Sequence, residues 1–339
     1  MTGVADCRIV LVLAGGNALG AYQAGVYQAL HAGGLSLDWI VGTSIGAANG
    51  AIVAGNAPED RLEALRAFWR PDGGAGSLYY SESVETWRRS GEALSTLLAG
   101  RAGMFAPVGT GLATGSAPGL YDTTPLARTL ARLIDFDRLN EGPVRYTAQA
   151  VSLDTGHERL FDTQAERIGE DHIRASGAMP PAFPPIAIDG VCYVDGGLAA
   201  NLPLDPVLGE ADERPLLCIA VDLLPLAGGH DPTLGSLIAR TQDLTFAAQS
   251  HRTLARWQDR YTTDPGFHDR AVALVQLTYA GQHCEVAGKA MDFSAASVRQ
   301  RWDAGERDGA ALLAALRGGG VPLGRAGLNL VAIPQGDAS

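Results

Sequence analysis

Residues 37–42 form a short apolar run, Thr43-Ser44 follow, and small residues fill Ile45 to Ala54. That order reads as strand, sharp turn and helix, so Gly42-Thr43-Ser44-Ile45-Gly46 fits a G-x-S-x-G elbow with Ser44 as a nucleophile. Small flanks tolerate the strained turn that exposes Oγ. The helix N-terminus favours negative charge developing beside it. A second segment, Gly15-Gly16-Asn17-Ala18-Leu19-Gly20, lies between an apolar run and a helical pattern. Acyl transfer through serine needs backbone N–H groups aimed at an oxyanion, and a glycine loop at a helix start supplies them. Nucleotide binding fits poorly. Asn17 stands where the second glycine of G-x-G-x-x-G belongs, no strand-end acid follows about 20 residues on, and no Gly-Lys-Ser/Thr occurs.

A third segment, Asp195-Gly196-Gly197, ends the strand-like run Val191 to Val194. An aspartate there is often only a turn, but beside an exposed serine it can act as a base. His230, His251, His268 and His283 follow Asp195, so chain order also leaves a Ser–Asp–His triad open. Each of these histidines falls in a loop or a polar helix.

The elements around these segments set their geometry. Residues 8–14 read as a buried parallel strand, 18–32 as a helix ending at Gly33-Gly34, and 60–70 as an amphipathic helix. Strand, helix and strand in succession imply parallel pairing with a right-handed crossover. Residues 71–120 read as an irregular insertion with one helix at 81–99, a lid or acyl-chain wall. Phe68, Trp69, Leu78, Tyr79 and Tyr80 border it and either flank an acyl channel or, more simply, pack a helix onto the sheet. A helix follows Asp122, strands fall near 144–153 and 158–161, and a short helix spans 171–178. A hairpin over 186–194 turns at Asp189-Gly190. A strand at 216–221, a helix at 233–260, a strand at 271–279 and a helix at 294–317 complete the pattern.

The chain has 339 residues, with 46% hydrophobic and 19% charged side chains. It is long enough for one continuous core. A formal net charge of -11 argues against nucleic acid, and no polybasic segment reaches for anionic lipid. Of 26 basic residues only Lys289 is a lysine. Cys7, Cys192, Cys218 and Cys284 form no CxxC pair and read as free thiols. No signal segment or membrane-spanning run is expected, so the reading is a cytoplasmic protein that can touch membranes peripherally. No metal-ligand spacing occurs, so no metal, no cofactor and calcium independence are expected. No protein partner can be inferred. Forty-three glycines stand out, well above the usual share of about 7%.

The three segments in this order resemble the patatin-like phospholipase family. Arg174-Ala-Ser-Gly-Ala-Met-Pro-Pro-Ala-Phe-Pro-Pro185 with Asp189-Gly190, and Asn201-Leu-Pro203, extend the likeness over residues 8–207. Met291 to Ser294 with Arg301-Trp302 resemble the C-terminal extension of a bacterial subgroup. The resemblance implies a three-layer α/β/α fold with a mostly parallel central sheet. Its catalytic core would cover residues 1–210, an extension packed on that core 211–317, and a loosely ordered tail 318–339.

The resemblance further implies a Ser44–Asp195 dyad without histidine. Gly15, Gly16 and Asn17 would donate to the oxyanion. Gly42, Gly46, Gly196 and Gly197 would be motif glycines. Two departures stand out: Asn17 replaces a third glycine, and Leu19 replaces a basic residue. These touch rate and headgroup preference more than reaction class. The implied activity is lipid acyl hydrolysis by a phospholipase A, lysophospholipase or carboxylesterase. An acyltransferase of similar fold and a catalytically weak lipid-binding or regulatory protein are the alternatives.

Overall fold

The structure is a computed structural model that describes residues 3–70, 82–109, 111, 115, 117–210, 214–229, 233–280, 282, 285–286 and 288–333. Its first half runs β1 (Arg8–Leu13), α1 (Ala21–Ala32), β2 (Trp39–Thr43), α2 (Ile45–Ala54), α3 (Arg61–Trp69) and α4 (Glu82–Ala99). A small pair, β3 (Ala106–Pro107) and β4 (Tyr121–Asp122), precedes α5 (Thr124–Leu133) and α6 (Phe136–Glu141). Then come β5 (Arg145–Ser152), β6 (Glu158–Asp162), α7 (Glu170–Ser176), β7 (Ile186–Ile188) and β8 (Val191–Asp195). The remainder is α8 (Asp205–Gly209), β9 (Leu216–Asp222), α9 (Leu234–Thr263), α10 (Pro265–His268), β10 (Ala271–Thr278), α11 (Ala295–Arg317) and β11 (Gly327–Ala332).

Nine strands among the described residues form one sheet, in the order β11-β10-β9-β1-β2-β5-β8-β7, with β6 also on β5. The run β11 to β5 is parallel, and β6, β8 and β7 add antiparallel pairs. Alternate side chains of each strand point to opposite faces. Ile9, Leu11 and Leu13 join a core under α1, α2 and α11, whereas Val10 and Val12 join a second core with Leu254 and Trp257 of α9. This is the expected α/β/α arrangement. The 186–194 hairpin forms as expected, with positive φ at Asp189 (50°) and Gly190 (81°).

Two boundaries differ from the expectation. The segment beyond residue 210 does not merely pack on a finished core. β1 is buried on both faces and needs a strand on each edge, and β9 supplies one of them by pairing parallel with β1. Within the expected loose tail, Gly327–Ala332 forms β11 by adding to the open edge of β10, while residues 334–339 lie outside the described ones. The C-terminal helix is also tied down. α1 and α11 approach so closely that a Cβ on Gly25 would lie 1.9 Å from the Trp302 carbonyl oxygen.

Candidate active site

Ser44 stands between β2 and α2 with φ 57° and ψ -122°, a conformation that costs a non-glycine residue energy. The surroundings hold it there. Its N–H donates to Ser176 Oγ at 2.9 Å, and Ser176 Oγ donates to the Gln149 carbonyl at 2.6 Å. The tight turn brings α2 against β1: a Cβ on Gly46 would fall 2.3 Å from the Leu13 carbonyl oxygen. Gly42 faces the same turn from the strand side. Neither glycine has positive φ, so space rather than backbone freedom demands them.

Asp195 ends β8 and is 1% exposed. Its carboxylate accepts the Gly197 N–H at 2.7 Å, and the Ser44 hydroxyl is the second donor near it. Burial pushes its pKa up to about 7, and these two donors only partly oppose the rise. Gly196 backs the carboxylate turn against the Gln149 carbonyl, and Gly197 carries the N–H that Asp195 accepts. The serine and the aspartate that the sequence proposed, 151 positions apart, line the same cavity, and the Ser44 hydroxyl lies near enough to lower the Asp195 pKa.

The glycine loop needs one correction. Gly15 is spent as a donor, because its N–H bonds the Asn201 carbonyl at 3.1 Å. Asn201 Nδ2 in turn donates to the Gly15 carbonyl at 3.1 Å. This double clasp leaves no room for a Gly15 side chain, whose Cβ would lie 2.6 Å from Asn201 Oδ1. Gly16 and Asn17 remain beside the serine as backbone donors in the cavity lining. Asn17 adopts the left-handed region at φ 50°, which asparagine tolerates better than most residues. Its side chain donates to the Met291 sulfur at 3.5 Å. Leu19 is fully buried.

Ser44 and Asp195 open onto a cavity of about 220 Å³. Its walls are mostly apolar, including Ile45, Phe105, Ile173, Met179, Phe183 and Phe246. Phe105 belongs to the expected insertion, so part of that segment is a cavity wall. The stretch 71–81, with Leu78, Tyr79 and Tyr80, lies outside the described residues. Phe68 and Trp69 are buried, and Trp69 Nε1 donates to Asn49 Oδ1 at 2.8 Å, so they pack rather than line the cavity. No described histidine lines it either. His251 is exposed, the His268 ring meets the Thr262 carbonyl, and His230 and His283 lie outside the described residues.

Three supporting residues carried no role in the sequence reading: Ser176, Asn201 and Met291. Ser176 and Asn201 fall inside segments noted for resemblance. Their bonds to Ser44 and Gly15 join positions more than 130 residues apart, which no spacing rule reaches.

A serine on a strand–turn–helix elbow, a buried carboxylate and a glycine loop line one cavity of this α/β fold. A family model described as patatin-like phospholipase matches residues 11–208, and a second, described as patatin phospholipase, matches 250–318. The chain belongs to the patatin-like phospholipase family.

Uncharacterized NTE family proteins of Mycobacterium bovis and Mycobacterium tuberculosis are 29% identical over 222 residues, covering 65% of this chain and 50% of theirs. The chain thus spans about half the length of these curated relatives. Among solved structures, VipD from Legionella pneumophila aligns with TM-score 0.40 at 14% identity, over 88% of this chain and 67% of that one. Full-length ExoU with SpcU from Pseudomonas aeruginosa aligns with TM-score 0.31 at 17% identity, over 74% and 51%.

Proposed function

We propose that this chain is a serine lipid acyl hydrolase working through a Ser44–Asp195 dyad. One observation carries the reading: a strained elbow serine and a buried carboxylate, whose pKa burial pushes up to about 7, line one cavity, the hydroxyl near enough to lower that pKa. A carboxylate base in that range accepts a proton at physiological pH and can return it. As Ser44 Oγ attacks an ester carbonyl, Asp195 takes its proton. The Gly16 and Asn17 N–H groups face the developing oxyanion. Collapse of the tetrahedral intermediate expels the alcohol, which receives the proton from Asp195, and leaves an acyl-serine. Water, deprotonated by Asp195, then releases the carboxylic acid and restores Ser44.

The apolar cavity walls suit an acyl chain. The substrate would be met at a lipid surface. On α4 the exposed residues Val84, Trp87, Leu94 and Leu98 recur at helical spacing as one apolar stripe, with Trp87 80% and Leu98 72% exposed. The Tyr121 hydroxyl donates to the Leu97 carbonyl and its ring meets the cavity residue Phe105 edge-on, so Tyr121 joins this helix to the cavity wall. No helix among the described residues is long and apolar enough to cross a membrane.

The test pairs a fluorophosphonate probe with a lipid-ester panel. Wild type should be labelled and active, and Ser44→Ala should lose both. Full hydrolysis by Ser44→Ala would end the proposal, and absent labelling of wild type would favour a lipid-binding role.

A further inference from the structure

Among the described residues, the cavity lining contains two ionisable side chains, Asp195 and Arg174. Asp195 is accounted for by the chemistry, but Arg174 is not. It sits in the last turn of α7, the same short helix whose Ser176 holds the Ser44 N–H. The Arg174 carbonyl accepts the Gly177 N–H at 3.0 Å, and a Cβ on Gly177 would lie 3.6 Å from Ser44 Oγ. This turn therefore lies directly against the nucleophile.

The guanidinium is only partly engaged. One Nη donates to Asp171 at 2.5 Å and the other to Thr123 Oγ1 at 3.0 Å. Its Nε is buried and has no acceptor among the described residues. A buried donor without an acceptor is costly unless a ligand completes it. The cation itself is 16% exposed, on the wall of an otherwise apolar cavity. Two carboxylates that do not line the cavity flank this cation, Asp171 by a direct ion pair. Asp171 is half-exposed, and exposed Asp122 feels the Arg174 charge. A cation on the wall flanked by anions off the lining has the charges opposite to those of a phosphate with a neighbouring ammonium group.

We infer that Arg174 is the headgroup contact of this site: it takes the phosphate of a zwitterionic phospholipid or lysophospholipid while the acyl ester lies on Ser44. Guanidinium matches phosphate oxygens through its fixed fork of donors. The flanking carboxylates Asp122 and Asp171 face the headgroup ammonium. This inference rests on the acyl-hydrolase reading and adds to it the residue that selects the headgroup.

The test compares two lipids with the same ester, palmitoyl-lysophosphatidylcholine and monopalmitoylglycerol. Wild type should favour the phospholipid in kcat/KM. Arg174→Gln should lower the ratio of the two kcat/KM values at least about tenfold, mostly through KM, and Arg174→Lys should restore part of it. A ratio unchanged in Arg174→Gln, with both activities falling together, would reduce Arg174 to a brace for α7 and overturn the inference. Equal handling of both lipids by wild type overturns it without any variant, whether or not Arg174→Gln folds. Failure of the underlying reading looks different: no Ser44-dependent turnover of either lipid.

Discussion

Replacing Asp195 by Asn separates what the buried charge costs from what it does. The carboxyl is ordinarily half-ionised at pH 3.8, whereas in the fold this occurs at about 7. The folded state therefore binds this proton more tightly than the unfolded state. Stability from this group is greatest at low pH, declines as pH rises from about 4 to about 7, and is flat above. A gap of roughly three pH units at 1.36 kcal/mol each makes the loss about 4 kcal/mol. Asparagine keeps the size of the side chain and can still accept the Gly197 N–H, but it does not titrate. With an unfolding entropy of about 2.1 cal/mol/K per residue, about 4 kcal/mol in a chain of this size moves Tm by about 5 °C. Thermal melts of both proteins at pH 4 and pH 8 should show Asp195→Asn gaining about 5 °C on wild type between the two conditions. Asp222, also buried and pushed up to about 6, titrates in both proteins and cancels in the difference. The variant should be the more stable protein at pH 8 and an inactive one. A Tm difference that stays constant across the range refutes the buried-base argument.

Three further outcomes follow from the same geometry. kcat/KM for a soluble ester should rise with pH along a single limb centred near 7, because Asp195 must be unprotonated to accept the Ser44 proton; a limb centred near 4 contradicts this. Gly46→Ala should destabilise by several kcal/mol, since its Cβ meets the Leu13 carbonyl at 2.3 Å, whereas Gly91→Ala on α4, whose Cβ meets nothing within 4 Å, should stabilise by about 0.5–1 kcal/mol. Denaturant titration of the two variants checks both signs. Trp87→Ser combined with Leu98→Ser should weaken partitioning onto phosphatidylcholine vesicles at least about tenfold and leave hydrolysis of a soluble ester unaltered, as read by vesicle flotation and ester turnover.

The elbow serine and the strand-end aspartate were legible because their constraints are local. Ser44 needs small neighbours on a turn, and Asp195 needs a turn after a strand; both leave glycines in the sequence. The strands were legible as apolar runs, since β1, β2 and β9 are buried on both faces. What escaped was assembly across distance. That β9 borders β1 depends on where the chain returns after about 200 residues, and β11 forms only because β10 offers an open edge. Gly15 read as a donor because its position in a glycine loop is right. Its N–H is taken by Asn201, 186 residues away, and no local rule distinguishes a free N–H from a spent one.

The absence of a basic side chain at Leu19 and the elevated pKa of Asp195 belong to one electrostatic arrangement. Glu285 is as deeply buried as Asp195, yet its pKa falls, because Arg301 bonds it at 2.7 Å and Arg89 approaches at 3.2 Å. Asp195 is opposed only by a hydroxyl and one N–H, so burial prevails. The guanidinium that does touch the glycine loop is Arg301, donating to the Ala18 carbonyl at 3.2 Å, and its charge is matched by Glu285. A free cation beside Gly16 and Asn17 would stabilise an oxyanion, but it would also draw the nearby carboxylate down toward ordinary values and weaken it as a base. With the nearest loop cation neutralised, the proposed mechanism would rely on backbone N–H groups to stabilise the oxyanion, while Asp195 keeps its pKa of about 7.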